Sequence, residues 1–241
     1  MEKLASHARS LIGIELTQKQ ISLFEHYAIE LISWNQKTNL TTIIDPRDIV
    51  IKHFLDSLSC MLAIQIPDHP TRALRLVDVG SGAGFPTLPL KIACPILEVT
   101  LVDSSDKKCD FLRYIVRELE LDGVEVLHER AENLGSDSHH RESYNWALAR
   151  YVAQMPVLFE YLLPLIEISG YCIAQKGENA IAETQEAQRA LDVLGGKVCH
   201  ILPIELPDLS EKRHLVVVHK QLPTPEKYPR RPGMPRKCPL V

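Results

Sequence analysis

Leu76-Val-Asp-Val-Gly-Ser-Gly-Ala-Gly-Phe-Pro86 is an apolar run that ends in Asp78 and passes into Gly80, Gly82 and Gly84. A second apolar run, beginning at Val99, ends in Asp103 and Ser104. Glycines let a backbone turn tightly and come close to a ligand. An acid at the tip of the next strand, roughly 20 residues on, can accept hydrogen bonds from both hydroxyls of a ribose. The pattern suits a cofactor that contains adenosine. Phe85-Pro86 stands where a dinucleotide fingerprint carries its third glycine, which favours S-adenosyl-L-methionine over NAD. Asp103 has a second reading, as the N-cap of a helix that starts near Ser105.

Further candidates sit where later strands end. Ala131-Glu132 follows the third strand, at the edge where an adenine ring would lie; Glu132 also reads as a solvated loop acid. Ala149-Arg150 ends the fourth. A guanidinium there can grip a carboxylate or phosphate through two hydrogen bonds, or close a buried ion pair. Lys176-Gly177 ends the fifth with the same two readings. His53 and Asp56 lie one turn apart on an N-terminal helix, where a histidine reads as structural. There is no NPPY-like tetrapeptide after the fourth strand and no Pro-Cys pair; Cys94 and Cys238 precede prolines instead. Amine methylation of that kind and covalent attack on a pyrimidine therefore lack their residues. Direct displacement on a sulfonium methyl, by an atom already nucleophilic, is the chemistry left. No acid–base catalyst is assigned, and Arg150 is the candidate for positioning. Six scattered cysteines without a CxxC pair argue against zinc, any other metal site and a disulfide framework.

The elements that must position these residues follow from periodicity. Ile21, Phe24, Ala28, Leu31 and Ile32 give a helix over 17–36 capped by Thr17, and Asp45-Pro46 opens a second over 49–62. Residues 66–70 read as a linker. Strand-like runs at 74–79, 98–102, 123–127, 145–149 and 170–175 alternate with helical segments at 87–94, 105–121, 154–167 and 178–194. Alternation of this kind makes a parallel sheet covered on both faces. Runs at 198–205 and 214–219 have no helix between them and must pair antiparallel. The outline is a class I, Rossmann-like methyltransferase: α/β, seven strands, mostly parallel with an antiparallel last hairpin, plus a helical N-terminal cap. The expected domains are the cap over 1–70, the cofactor-binding domain over 71–221 and a basic Pro-rich tail over 222–241.

With 45% hydrophobic and 24% charged residues the chain has an ordinary globular balance, and its net charge of -4 gives no sign of a nucleic-acid partner. Charge placement says more. Lys227 to Lys237 holds five basic residues and no acid, so the tail is either a solvated, extended segment or a cationic grip. No run reaches the roughly 18 apolar residues of a membrane span, and the N-terminus lacks a signal-peptide core, so a cytoplasmic protein is expected.

Taken in order, Trp34-Asn-Gln-Lys-Thr-Asn-Leu-Thr41, His53-Phe-Leu-Asp-Ser57, the glycine loop 78–86, Leu101-Val-Asp-Ser104, Arg130-Ala-Glu132, Ala149-Arg150, Lys176-Gly177 and Arg213-His-Leu-Val216 resemble the small-subunit ribosomal RNA methyltransferase G family. The resemblance runs from Tyr27 to about His219. It implies methyl transfer from S-adenosyl-L-methionine to N7 of one guanosine in 16S ribosomal RNA, by a monomer acting on the small ribosomal subunit. It implies cofactor contacts at Gly80, Phe85, Ala131, Glu132, Arg150 and the Asp103-Ser104 strand end. Arg150, Lys176, Arg230, Arg231, Arg236 and Lys237 are then the residues expected to meet RNA. Thr87, Asn145 and Tyr151 depart from the family pattern, which more often carries Gly, Asp and a small residue there. Guanine N7 has an in-plane lone pair and no proton, so no general base is needed, and Glu132 or Tyr151 could face the cationic product. Other readings of the same pocket are a small-molecule methyltransferase and a non-catalytic sensor of adenosine-type ligands.

Overall fold

The computed structural model describes residues 1–64 and 73–241. Seven strands form one sheet: β1 Arg75–Val79, β2 Glu98–Asp103, β3 Val124–His128, β4 Tyr144–Arg150, β5 Ile166–Lys176, β6 Gly196–Ile204 and β7 Arg213–Lys220. Their order is β3-β2-β1-β4-β5-β7-β6. The first five pair in parallel, and β7 runs antiparallel between β5 and β6. This is the expected class I methyltransferase sheet, with the second strand of the hairpin lying beside β5. Chain order reverses between β1 and β4, so a crevice opens above their C-terminal ends, where doubly wound sheets hold ligands.

Alternate residues of each strand supply two cores, as the pleat requires. Leu76, Leu148, Ile173 and Val217 face one layer; Val77, Ala147, Cys172 and Val216 face the other. The first layer holds helices Thr87–Ala93 and Asp106–Glu118 together with the N-terminal helices, whose Phe24, Tyr27, Leu31, Phe54 and Leu58 are fully buried in the same core. Burying each such side chain stabilises the fold by roughly 1.5–3 kcal/mol. The second layer is built from Met155–Leu162, Ala180–Glu186, Gln188–Leu194 and part of the tail. Among the described residues no helix is long and apolar enough to cross a membrane.

Local signals explain most boundaries. Helix Gln18–Asn35 starts at the expected cap: Thr17 Oγ1 accepts from Gln20 N, and Gln20 Oε1 accepts from Thr17 N. A helix over Glu2–Ile12, closed by Gly13 in the left-handed region, is additional to the expected elements. The helix expected over 154–167 stops at Leu162, because Pro164 has no N–H to donate, and β5 begins already at Ile166. The helix expected over 49–62 is helical throughout but starts as a π-helical turn, Ile49–Leu55, which loosens the backbone around Lys52 and His53. The linker expected over 66–70, and with it the boundary at 70, lies outside the described residues.

The tail is neither extended nor free. Lys220, fully buried, donates to Glu142 Oε1 at 2.8 Å, Thr224 Oγ1 at 2.9 Å and Leu163 O at 2.6 Å. Arg141 donates to the carbonyls of Thr224, Pro225 and Tyr228, and Gly233 N donates to Glu132 Oε1. Arg230 binds the fully buried Glu160 through its backbone N and its guanidinium, the shortest contact being 2.6 Å. Arg230, expected to meet RNA, is engaged as a structural cation: it pairs with a carboxylate for which there is no other counterion among the described residues. Arg231 and Lys237 remain exposed. Replacing Arg230 with alanine is expected to cost about 3 kcal/mol of unfolding free energy by stranding a buried carboxylate. Arg231→Ala should stay within about 0.5 kcal/mol of wild type. Urea denaturation compares them, and equal stabilities would contradict this docking of the tail.

Candidate active site

The glycine loop turns from β1 under the tip of β2, with Gly80 N donating to Val102 O at 2.7 Å. Gly84 has φ 93°, and a Cβ there would lie 2.5 Å from Leu88 Cδ1 and 2.6 Å from Tyr27 Oη, so only glycine fits. Gly82 has φ 60°, and a Cβ there would meet only Gly80 O, at 3.9 Å; it borders open cleft instead of protein. Its N–H donates to Asp103 Oδ2 at 3.0 Å, while Asp103 Oδ1 accepts from Ser105 N at 2.9 Å. The N-cap of helix Asp106–Glu118 is Ser105, with no side-chain cap bond, so Asp103 is not the cap: it closes a local turn onto Ser105 N and lines the cleft. Each oxygen spends one acceptor site on the backbone and keeps another for a ligand. Lys108 Nζ stands 3.8 Å from the same carboxylate.

Beneath the loop, Asp78 is fully buried; Oδ2 accepts from Thr87 N at 3.3 Å and Oδ1 has no hydrogen-bond partner among the described residues. Burial pushes its pKa up to about 7, against the opposing pull of Thr87 and Arg150. Thr87 begins the following helix, and the group it offers to Asp78 is its backbone N–H, which glycine at this position would supply as well. Asn145 bridges Arg75 N and Glu167 Oε1 and does not line the cleft.

The Arg150 side chain is almost wholly buried at the end of β4, and every hydrogen-bond partner of its guanidinium among the described residues comes from the N-terminal layer. Nη1 donates to Lys52 O at 3.0 Å and to Asp56 Oδ2 at 3.1 Å, and Nη2 donates to His53 Nδ1 at 3.1 Å. Since Nδ1 accepts, the His53 proton sits on Nε2, which donates to Thr41 Oγ1 at 2.9 Å. Burial and the adjacent Arg150 charge lower the His53 pKa to about 3, so the ring is neutral. The ring stacks on Phe85 with centroids 4.3 Å apart, Phe85 stacks on Tyr27, and Arg150 Cζ lies 4.9 Å from the Phe85 centroid. The ion-pair reading of Arg150 and its cleft-lining position are both realised.

These groups line one cleft of about 1200 Å³. Gly80, Gly82, Phe85, Asp103, Ser104, Ala131, Glu132 and Arg150 all border it, as does Arg236; Gly84 packs behind the loop. Glu132 is buried on a short helix, Ala131–Leu134, and is not a solvated loop acid. Lys176 is a correction: its Nζ contacts Glu183 Oε2 at 2.5 Å and Ala153 O at 2.9 Å, and it is not among the residues lining the cleft. The ion-pair reading holds for it, because a nearly buried ammonium needs a counterion. Residues of the cleft that the sequence did not single out include Asn39, Thr41 and Ile44, from the loop after helix Gln18–Asn35, together with Lys108, Glu129 and Tyr161. Asn39 and Thr41 lie in a stretch that carries the family resemblance; Tyr161 sits on an apolar helix and looks like core.

Asp78 and His53 oppose each other with pH. Asp78, raised from 3.8 to about 7, disfavours folding when ionised, a cost complete above pH 7 and gone near pH 4. His53, lowered from 6.5 to about 3, gives stability that is complete above pH 6.5 and is lost on acidification. Asp78→Asn removes only the first. Relative to wild type, the variant should lose about 1.4 kcal/mol per pH unit as pH falls from 7 towards 4. Denaturant titrations across that range test this, and a pH-independent difference would contradict it.

The family model described as rRNA small subunit methyltransferase G matches residues 20–216. The chain is 46% identical over 228 residues to Ribosomal RNA small subunit methyltransferase G of Lactobacillus johnsonii, covering 95% of each chain. It is 43% identical over 240 residues to the protein of the same name from Desulfitobacterium hafniense, covering 100% of this chain and 98% of the relative. Among solved structures, a variant of 16S rRNA (adenine(1408)-N(1))-methyltransferase from Catenulisporales acidiphilia aligns with a TM-score of 0.52 at 13% identity, over 63% of this chain and 87% of that one. At that identity the likeness concerns the fold alone.

Proposed function

The chain belongs to the rRNA small subunit methyltransferase G family, and on that premise we propose that it transfers a methyl group from S-adenosyl-L-methionine to N7 of one guanosine in 16S ribosomal RNA. It acts in the cytoplasm as a monomer, on RNA of the small ribosomal subunit. Membership of a methyltransferase family sets aside the non-catalytic sensor. The small-molecule reading is disfavoured by the family itself, whose members are named as ribosomal RNA methyltransferases; the cleft of about 1200 Å³ has room for a cofactor and a second reactant.

One observation carries the reaction type. His53 is the only histidine among the described residues that line the cleft, and both its ring nitrogens are occupied, one by Arg150 and one by Thr41. Neutral and doubly engaged, it cannot take a proton from a substrate at pH 7. Glu129, at the cleft edge, is a weakened base, its pKa lowered by hydrogen bonds from Arg130 N and Asn133. Guanine N7 has no proton to lose, so a cleft whose one lining histidine among the described residues cannot act as a base suits it.

The residues fit the cofactor. Gly82 leaves the floor open, and Asp103 keeps acceptor sites that two ribose hydroxyls would fill. Glu132, anchored by Gly233 N, closes the adenine side. When bound, S-adenosyl-L-methionine supplies an electrophilic methyl group on a sulfonium. The protein's share is alignment and exclusion of water: Arg150, fixed by three partners, holds the floor between the glycine loop and the N-terminal layer. A-form RNA buries N7 in a deep, narrow groove, so the target lies in a loop or an opened segment.

Charge-assisted hydrogen bonds are each worth about 1.5–3 kcal/mol. Asp103→Ala should therefore weaken binding of S-adenosylhomocysteine about tenfold to a hundredfold by calorimetry. Incubating wild type with unmodified 16S RNA or small subunits should introduce one 7-methylguanosine, read by nuclease mapping and mass spectrometry. Methylation of another atom, or unchanged ligand affinity in a folded Asp103→Ala protein, would overturn the assignment.

A further inference from the structure

Among the described residues, five other than glycine have positive φ: Glu120, Glu142, Tyr151, Ser169 and Asp208. Only Tyr151, at φ 55°, lines the cleft. A bulky side chain in the left-handed region costs on the order of 1–3 kcal/mol, and such residues persist where their position serves the site. Packing does not compensate here. The Tyr151 side chain stays 57% exposed, and its hydroxyl makes no hydrogen bond among the described residues. The left-handed turn follows directly on Arg150, so the chain holds the ring at the mouth of the cleft whose floor Arg150 forms.

The ring is also electrostatically prepared. Arg213 Cζ lies 5.7 Å from the Tyr151 centroid, and Arg213 is itself fixed by Glu211 Oε2 at 2.7 Å. A guanidinium over an aromatic ring is attracted by its quadrupole and restricts the ring's motion. Ile44 lines the same cleft and is 61% exposed, an apolar group with no partner of its own at the site. Arg130 and Arg236 border the cleft as well, suited to backbone phosphates. A flat aromatic, an apolar group and cations around one opening are what an unstacked nucleobase of single-stranded RNA requires.

We propose that Tyr151 is the stacking platform for the target guanine, setting how the base enters the cleft beside Arg150. This rests on the reading of the chain as a guanine-N7 methyltransferase. Base–aromatic stacking is worth about 1–3 kcal/mol per base by alanine substitution.

The test uses the full chain as wild type, Tyr151→Ala and Tyr151→Phe, with methylation of small subunits at varied RNA concentration and S-adenosylhomocysteine binding in parallel. Tyr151→Ala should lower kcat/KM for RNA about tenfold to a hundredfold. Its S-adenosylhomocysteine affinity should stay within about twofold of wild type, and Tyr151→Phe should recover most of the loss because it keeps the ring. Unchanged kcat/KM in Tyr151→Ala, with an active wild type, overturns the platform alone. A parallel fall in S-adenosylhomocysteine affinity makes the residue structural and also overturns it, as does a Phe variant as poor as the Ala variant. A folded wild type that methylates no guanine N7 overturns the underlying functional reading and the platform with it.

Discussion

A buried guanidinium cannot be left without partners, and that constraint organises this molecule. Arg150 ends β4 inside the protein, where an unpaired charge would cost several kcal/mol. Its partners are Lys52 O, Asp56 and His53, all within one helical stretch of the N-terminal layer. Gln175, the register partner of Arg150 on β5, donates to Asp56 O at 2.8 Å and makes a second tie to the same turn. His53 must then be neutral, its ring lies on Phe85, and Phe85 lies on Tyr27. The N-terminal helices are thus fixed to the sheet at the strand ends where the cleft opens. A shift of the layer would strand the charge.

The opposite wall of the cleft depends on backbone rather than on charge. The positive φ of Gly82 and Gly84 lets the loop double back so that an N–H meets Asp103 from the next strand. Glu132 and Gly233 extend that wall with one hydrogen bond between a short helix and the docked tail. The two walls meet at Phe85, the last residue of the loop before Pro86 and the ring under His53.

Legibility in the sequence followed the range of the interaction. The glycine loop, the acid at the end of β2 and the Thr17 cap could be read because a local conformational need dictates each residue type. The strands could be read from apolar runs, and the order of elements implied a parallel sheet with a terminal hairpin. Arg230 and Lys176 were misplaced because their fates depend on Glu160 and Glu183, distant or unremarkable in sequence and near only after folding. Prolines in the tail suggested an extended segment, yet buried Lys220 and the carbonyl-binding Arg141 dock it. In the sequence Arg150 has a ligand-binding and an ion-pair reading, His53 a structural one, and Asp56 only its place one turn from His53. The structure joins them, so for Arg150 and His53 packing and cleft-lining are one role.

The Arg150 junction fixes the N-terminal layer to the sheet, and hydrogen exchange reads it directly. Arg150→Lys keeps a cation but loses the planar fork that serves three partners at once. Native-state exchange followed by mass spectrometry should show faster exchange across residues 46–62 and the glycine loop 80–86, with the tail over 222–241 unchanged. Exchange in 46–62 indistinguishable from wild type would mean that the guanidinium does not hold the layer to the sheet, and would contradict the account.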